Sequence, residues 1–529
     1  MSKKVFEHPA AQAGEPTGPS YWRSLDERNK SPEFRTRAER EFLDGASAIS
    51  SVERREFLML MGASFGLAGL GLAGCREPRN HTLPYAKQPE NTIPGVATYY
   101  ASSFPGEFAN QPILVETHQH RPTKIEGNPS HRANGGASSK FAQASVLDMY
   151  DPDRAQASLA ADGSVLSVAS ARNFLRGLAT DAKADAGAGL AFLARPSTSP
   201  TRARLVAALK AAYPQARWVE YTPVAQNRAD AVLGARALPD YAKARRVLSL
   251  DRDFLGAHDA TVEDTRAYSS ARRADTAAEA EKMTRLYVVE SVFSLTGAAA
   301  DHRLRASSSH ISGLAILFAA EVLAQKGSAD AAALKGKVSG INVDAKWVTE
   351  CVADLVKAAK GEALIVAGDH LSADAHRAVF LANQALAAAV KYVAAPAPAS
   401  PTIAALVAQP AKTLVILGGN PVYDAPADVN FSAAIQAAKK VVRLGYHGPS
   451  FDETSAAVKA AAGTFLASSH YLESWSDGRT LDGAYVPVQP MIDPLFATVT
   501  ELDVLAPFAG SDKEPHALVR ETFNSLSKN

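Results

Sequence analysis

Short apolar runs alternate with longer amphipathic stretches from about residue 160 to near the end of the chain. The apolar runs have the length of buried strands, and the stretches after them have the spacing of helices with one apolar face. The predicted strands are 189–194, 217–220, 247–250, 286–289, 363–367, 391–393, 413–417 and 441–445, and the predicted helices include 200–212, 311–325, 345–359, 373–389 and 431–439. This alternation predicts an α/β fold with two doubly wound, mostly parallel sheets, one on each side of about residue 340.

The region before this alternation has a different pattern. A Pro-rich linker covers 77–94, and two β-rich runs at 113–115 and 123–126, joined by His118-Gln-His-Arg121, predict a hairpin. The changes in pattern divide the chain into a polar extension (1–52), an export segment (53–75), a linker with a small β region (76–155), a first α/β domain (156–340) and a second α/β domain (341–529).

The export segment is predicted from a basic pair followed by an apolar, glycine-rich run. Arg54 and Arg55 precede one variable residue and then Phe57 and Leu58, which fits the twin-arginine pattern of proteins that fold before export. The run ends in Leu-Ala-Gly-Cys, a lipobox in which Cys75 would be acylated. The alternatives are an uncleaved membrane anchor or a buried core helix, and the run is barely long enough to span a bilayer.

Charge and cysteine content limit the chemistry of the chain. Its 529 residues carry 56 Lys and Arg against 55 Asp and Glu, so we expect no nucleic-acid partner, which would need a basic surface. A cubane iron–sulfur cluster takes four thiolates, and the chain has two cysteines. Any iron–sulfur chemistry must therefore come from a partner.

Two loops follow predicted strands at the positions where open α/β sheets bind ligands. Asp251 and Asp253 follow the strand 247–250, and Gly418-Gly419-Asn420-Pro421 follows the strand 413–417. Glycines beside an Asn and a Pro would permit close approach of a nucleotide. The alternative is a strand-to-helix turn without a ligand.

Other catalytic patterns are weak. His118 and His120 would share a strand face, but no further ligand lies near them in the sequence, and His370 and His376 lack metalloprotease spacing. No nucleophile elbow is present, which argues against a hydrolase. His470, Glu473 and Asp477 lie close together after a further predicted strand, 464–467, where we expect them to support the fold or an interface.

Residues 111–154 read QPILVETHQHRPTKIEGNPSHRANGGASSKFAQASVLDMYDPDR. This stretch resembles the opening of molybdopterin oxidoreductases of the bis-guanine-dinucleotide class. The resemblance is most detailed with one branch, the ActB-type subunits of alternative complex III, a bacterial quinol-oxidising electron-transfer assembly. Segments similar to this branch occur along most of the chain, at 21–25, 54–62, 91–100, 249–255, 285–290 with 296–297, 300–304, 470–477 and 488–494.

The chain departs from the catalytic members at the metal sites. Those enzymes hold a cubane cluster by four cysteines and bind molybdenum through Cys, selenocysteine, Ser or Asp, whereas this chain has Gly-Ala-Ser-Ser-Lys at 136–140. Cys351 lies in a helical pattern typical of core packing. The resemblance therefore implies a retained molybdopterin oxidoreductase-like fold without a redox centre or cofactor of its own.

The branch also implies the partners and the location. Its members continue into a ferredoxin-like iron–sulfur domain, which we expect on a separate polypeptide; a fragmentary sequence is the other explanation. The expected function is a non-catalytic scaffold on the periplasmic side of the inner membrane. Its partners would be an iron–sulfur subunit, multihaem cytochrome c subunits and polytopic quinol-site membrane subunits. The alternative is a catalytic molybdenum half-subunit that binds its dinucleotide at the loops after Leu250 and Leu417.

Overall fold

The computed structural model describes residues 92–224, 228–256, 261–394 and 402–527, with the isolated positions 28–29, 31–32, 86–87 and 89–90. The predicted export segment 53–75 lies outside the described residues, with Arg54, Arg55, Phe57, Leu58 and Cys75, as does most of the polar extension 1–52.

The described strands are β1 (Thr98–Phe104), β2 (Gln111–His118), β3 (Arg121–Gly127), β4 (Ser158–Leu159), β5 (Val165–Leu166), β6 (Leu190–Ala194), β7 (Arg217–Glu220), β8 (Ala235–Pro239), β9 (Arg246–Leu250), β10 (Arg285–Glu290), β11 (His302–Arg305), β12 (Ala363–Ala367), β13 (Val390–Ala394), β14 (Thr413–Leu417), β15 (Lys440–Gly445), β16 (Thr464–Ala467), β17 (Ser476–Arg479) and β18 (Tyr485–Val488).

The described α-helices are α1 (Lys140–Met149), α2 (Val168–Lys183), α3 (Pro200–Ala212), α4 (Arg228–Leu233), α5 (Val262–Arg272), α6 (Ala277–Ala280), α7 (Leu295–Ala298), α8 (Ser308–Gln325), α9 (Asp330–Lys335), α10 (Ala345–Lys357), α11 (Ala373–Leu386), α12 (Ile403–Ala408), α13 (Pro421–Asp424), α14 (Phe431–Ala437), α15 (Glu453–Ala460), α16 (Glu501–Phe508) and α17 (Pro515–Leu526).

Seven strands form the large sheet, in the order β5-β4-β16-β15-β14-β6-β7. The five strands from β16 to β7 are parallel, and β4 and β5 add an antiparallel edge. Strands β6 and β14 are neighbours at the point where the strand order reverses. Such a reversal opens a crevice between the loops that follow the two strands.

Four parallel strands form the small sheet, in the order β11-β10-β9-β12. Here β9 and β12 flank the reversal, so a second crevice is expected beyond their carboxyl ends. Strands β8 and β13 form a separate antiparallel pair, whereas the sequence predicts a strand at 391–393 within a parallel sheet and no strand at β8.

The predicted division at residue 340 does not match these sheets. The large sheet takes β6 and β7 from before this position and β14 to β16 from after it, and the small sheet also draws on both sides. In sequence, the segment from β8 to β13 is an insertion between β7 and β14 of the large sheet. Two parallel strands that pair in a sheet are joined by a crossover connection, and the local sequence pattern does not fix its length. Strands far apart in the sequence can therefore be neighbours in one sheet.

Most predicted elements agree with the structure. Helix 200–212 has the predicted bounds, with Ser199 accepting from the N–H of Arg202 and Pro200 at the first helical position. The helix predicted over 373–389 ends at Leu386, because Ala387 takes a left-handed conformation with φ of 47°. The predicted hairpin is also confirmed: β2 and β3 pair antiparallel across Gln119 and His120.

Helix α8 is apolar enough and long enough to span a membrane by composition alone. In the described part of the chain it is a core helix instead. Nine of its residues are buried, among them Leu314 and Phe318, and they join the apolar core shared by the small sheet, α10 and α11. Helix α10 contributes Cys351, which is fully buried there, as its helical pattern predicts.

Candidate functional site

The two crevices at the strand-order reversals are the places where this architecture binds ligands. Both predicted loops lie there: Gly418–Pro421 follows β14, and Asp251–Asp253 follows β9. The sequence prediction of their position is therefore confirmed. What the sequence did not predict is which side chains occupy the space beside them.

In the large sheet, two arginines contact the glycines after β14. The guanidinium of Arg195, the residue that follows β6, lies so close that a Cβ on Gly419 would come within 2.8 Å of its Nε. Arg443 donates to the carbonyl oxygens of both Gly418 and Gly419. Arg195 is in turn paired with Asp424, with 2.5 Å between Nη2 and Oδ2.

This arrangement does not fit a phosphate site. A loop that cradles phosphate presents free backbone N–H groups. Here the N–H of Gly418 donates to Leu444, that of Asn420 lies 3.4 Å from the Asp424 carboxylate, and Pro421 has none. The side chain of Asn420 is held by Glu453 and Thr454. The N–H groups of Gly418 and Asn420 and the side chain of Asn420 are thus engaged within the chain.

The crevice of the small sheet is closed in a similar way. His370, after β12, lies across it and contacts Asp251, with 3.0 Å from Nε2 to Oδ2. A Cβ on Gly368 would meet the Asp251 carbonyl at 2.3 Å, so the two loops are in direct contact. Asp251 takes a φ of 51°, and its carboxylate also accepts from the N–H of Ser291. Asp253 accepts from the backbone and hydroxyl of Thr296.

Residues 136–140 also serve local structure. Ser139 caps helix α1 by accepting from the N–H of Ala142 at 3.1 Å, and Ser138 accepts from Gln143 at 2.7 Å. Burial raises the pKa of the Cys351 thiol well above its usual value, with a further contribution from Asp354, which disfavours the thiolate that metals bind. Among the described residues, no group of three or more His, Cys, Asp or Glu could hold a metal ion.

The two histidines of the hairpin do not form a joint ligand pair. His118 lies 2.9 Å from the Glu116 carboxylate, and His120 sits in the turn with a φ of 66°. His376, buried in α11, contacts the carbonyl oxygen of Asp369.

Glu473 and Arg154 form a buried ion pair that joins two family-like motifs far apart in sequence. Both side chains are fully buried, and two hydrogen bonds of 3.0 and 2.7 Å link the guanidinium to the carboxylate. The guanidinium also lies between the rings of Tyr446 and Phe496. Burial pushes the pKa of Glu473 up, but hydrogen bonds from Arg154 and the N–H of His470 more than offset this, so the net pKa is below its usual value.

His470 and Asp477 are also held by hydrogen bonds within the chain. His470 accepts from the N–H of Leu472 at Nδ1 and contacts the Ser145 carbonyl through Nε2. Burial, with the charge of Arg154 as a smaller cause, lowers its pKa to about 4, so it is neutral near pH 7. Asp477 accepts from Ser199 and Thr201 at the start of α3.

The sequence alone did not identify Arg195 and Arg443 at the glycine loop, or Arg154 in its buried ion pair. Arg154 is the last residue of the stretch 111–154, but its carboxylate partner, Glu473, lies 319 positions away. Arg443 lies within a strand otherwise made of apolar residues and glycine, apart from its exposed first Lys, and an arginine in such a run was the available signal.

The two parallel sheets, each with a reversal of strand order, define the class of fold as doubly wound α/β. The solved structure of acetylene hydratase from Pelobacter acetylenicus is similar, with a TM-score of 0.57 over 80% of this chain and 70% of that one, at 13% identity. At this identity the likeness shows the fold alone. No protein-family model and no curated protein matches the chain.

Proposed function

We propose that the chain is a non-catalytic, ActB-type scaffold subunit of a membrane-associated quinol-oxidising complex, alternative complex III. The observation that carries this proposal is the occupation of both crevices by the chain's own side chains. Arg195 lies beside Gly419, Arg443 donates to the carbonyl oxygens of Gly418 and Gly419, and His370 bridges to Asp251. A body with this fold and no open cofactor loop suits a role in positioning other subunits.

In this proposal the redox centres belong to the partners. A ferredoxin-like subunit would carry iron–sulfur clusters, multihaem subunits would carry haem c, and polytopic subunits would hold the quinol site. The chain would fix the distance between these centres, and the buried Arg154–Glu473 pair supports such rigidity because it joins the small β region to the loop after β16.

The proposed location is the periplasmic face of the inner membrane. Arg54 and Arg55 support export by the twin-arginine route, and Cys75 supports a lipid anchor. An acylated lipobox cysteine carries at least two acyl chains, which is enough for stable anchoring, and contact with membrane subunits would add to it. Mass spectrometry of the mature N-terminus tests this: a peptide beginning at acylated Cys75 is expected, and an intact 54–74 segment would contradict the anchor.

Elemental analysis of the purified chain and of its assembly tests the scaffold role. We expect neither molybdenum nor tungsten in proportion to the chain, and iron only when partner subunits co-purify. Stoichiometric molybdenum would instead establish the alternative, a catalytic half-subunit that binds a guanine-dinucleotide cofactor. The variant Arg443→Leu is the matched control, since it removes the side chain that donates to Gly418 and Gly419 without adding a metal ligand.

A further inference from the structure

A loop after β10 exposes an unusual amount of apolar surface. Val292, Phe293 and Leu295 are 72%, 69% and 65% exposed, all within four residues. Single exposed apolar residues are ordinary, whereas a contiguous cluster marks an interaction site. We call residues 291–295 the apolar loop.

The apolar loop is held in place by the aspartates that first suggested a nucleotide site. Asp251 accepts from the N–H of Ser291 at one end, at 3.1 Å, and Asp253 accepts from the N–H of Thr296 just past the other, at 3.0 Å. Between them, Ser294 donates to Glu290 and accepts from the N–H of Gly297. A loop fixed in this way loses little conformational freedom when it binds.

Phe293 is held from the side as well. The guanidinium carbon of Arg303 lies 4.8 Å from the centre of its ring, and the same guanidinium pairs with Glu290. An aromatic side chain that is fixed but exposed has the character of an interface anchor.

Arginines are exposed near the apolar loop, whereas the two carboxylates that hold it are largely buried. The Asp251 and Glu290 side chains are only 13% and 3% exposed, and both accept internal hydrogen bonds. Arg305 is exposed and aligns with Glu290 in the neighbouring strand, and Arg228 is exposed near the end of β12. The surface therefore complements a partner that carries carboxylates.

We infer that the apolar loop docks a protein partner whose matching surface is an apolar pocket rimmed by carboxylates. This rests on the proposed function, in which that partner is the iron–sulfur subunit. The loop would supply the buried centre of the interface, and Arg305 would supply part of its charged rim.

The test compares Phe293→Ser with Phe141→Ser in affinity-tagged full-length chain, expressed in the cells that encode it. Phe141 is a matched control because it is also exposed, at 59%, but lies on α1. Iron and partner peptides are quantified per chain. We expect Phe293→Ser to lower recovery of the iron–sulfur subunit about tenfold or more. Phe141→Ser should leave recovery unchanged, and both variants should keep the wild-type melting temperature.

A photo-crosslinker at position 293 identifies what the loop contacts. A crosslink to an iron–sulfur protein, at a segment flanked by Asp or Glu, supports the inference. A crosslink to lipid or to a second copy of the chain overturns it. The variant Arg305→Glu tests the charged rim. Recovery of the iron–sulfur subunit should fall and should lose its dependence on ionic strength.

The outcomes separate this inference from the proposed function. If the wild type recovers the iron–sulfur subunit and Phe293→Ser does so equally well, the docking surface is wrong and the scaffold role stands. If the wild type recovers no iron–sulfur protein, both the scaffold role and this assignment fail.

Discussion

Individual buried charges link parts of this fold that lie far apart in the sequence. The Arg154–Glu473 pair is fully buried, and the carboxylate also accepts from the N–H groups of His470 and Leu495. A buried pair of this kind contributes little when intact but costs much when one partner is removed, because the other charge stays desolvated.

The variant Arg154→Met tests this at the residue scale. It should lower the free energy of unfolding by about 3–5 kcal/mol, since Glu473 would remain buried without its cation. Denaturant unfolding followed by circular dichroism measures the loss. The control Arg176→Ala removes an exposed pair with Asp512 and should cost less than about 1 kcal/mol. Equal losses in the two variants would contradict the role given to Arg154.

The lowered pKa of His470 predicts that the stability of the fold decreases as the pH falls. In the unfolded chain the pKa is about 6.5, and in the folded chain it is about 4, so the unfolded state binds more protons between these values. Stability is therefore complete above pH 6.5 and is lost as the pH falls towards 4, by about 3 kcal/mol. In His470→Asn, which keeps a donor and an acceptor, the difference in stability between pH 7 and pH 4 should shrink by about that amount. An unchanged difference would show that His470 is not the titrating group.

At the scale of elements, strand β17 fixes the start of helix α3, which lies far away in sequence. The carboxylate of Asp477, in β17, accepts from the N–H of Thr201 in the first turn of α3 and from the hydroxyl of Tyr485. A negative charge at this end of a helix is favourable because the helix dipole is positive there.

Asp477→Ala should therefore lower the free energy of unfolding by about 1–3 kcal/mol through the lost acceptor. Asp512→Ala, at an exposed carboxylate, is the control and should stay within about 0.5 kcal/mol of the wild type. Thermal unfolding of the two variants measures the difference. A loss no larger than that of the control would show that Ser199 alone caps α3.

At the scale of the whole molecule, the small sheet is an insertion in the large one. Residues 228–394 contain every strand of the small sheet and of the β8–β13 pair. The predicted domain 156–340 instead separates β6 from its neighbour β14, and β9 from its neighbour β12. We expect the fragment 228–394 to unfold cooperatively on heating and the fragment 156–340 to show no cooperative transition. Cooperative unfolding of the fragment 156–340 would show that it folds without the neighbours of β6 and β9, which would contradict this prediction.

Local patterns explain why the individual elements could be predicted. Helix α3 carries its own N-cap and Pro, and strand Thr413–Leu417 is a continuous apolar run between polar neighbours, so each has its bounds in its own residues. The position of Asp251–Asp253 and Gly418–Pro421 at the crevices could be predicted for the same reason, since both follow recognisable strands.

The closure of the crevices could not be predicted in this way. It depends on Arg195 meeting Gly419 and on His370 meeting Asp251, pairs that are separated by more than a hundred positions. No local periodicity encodes such a meeting. The arginines are visible in the sequence, but their partners become visible only once the strands are ordered.

By itself, the sequence determined the α/β class, the bounds of most elements and the limit that two cysteines place on metal binding. Only the tertiary structure decided that strands from both halves of the chain share the large sheet, with Leu193 paired to Ile416, and that both crevices are closed by side chains. Secondary structure follows from neighbouring residues, whereas parallel pairing and side-chain contact join residues brought together by the burial of distant apolar strands.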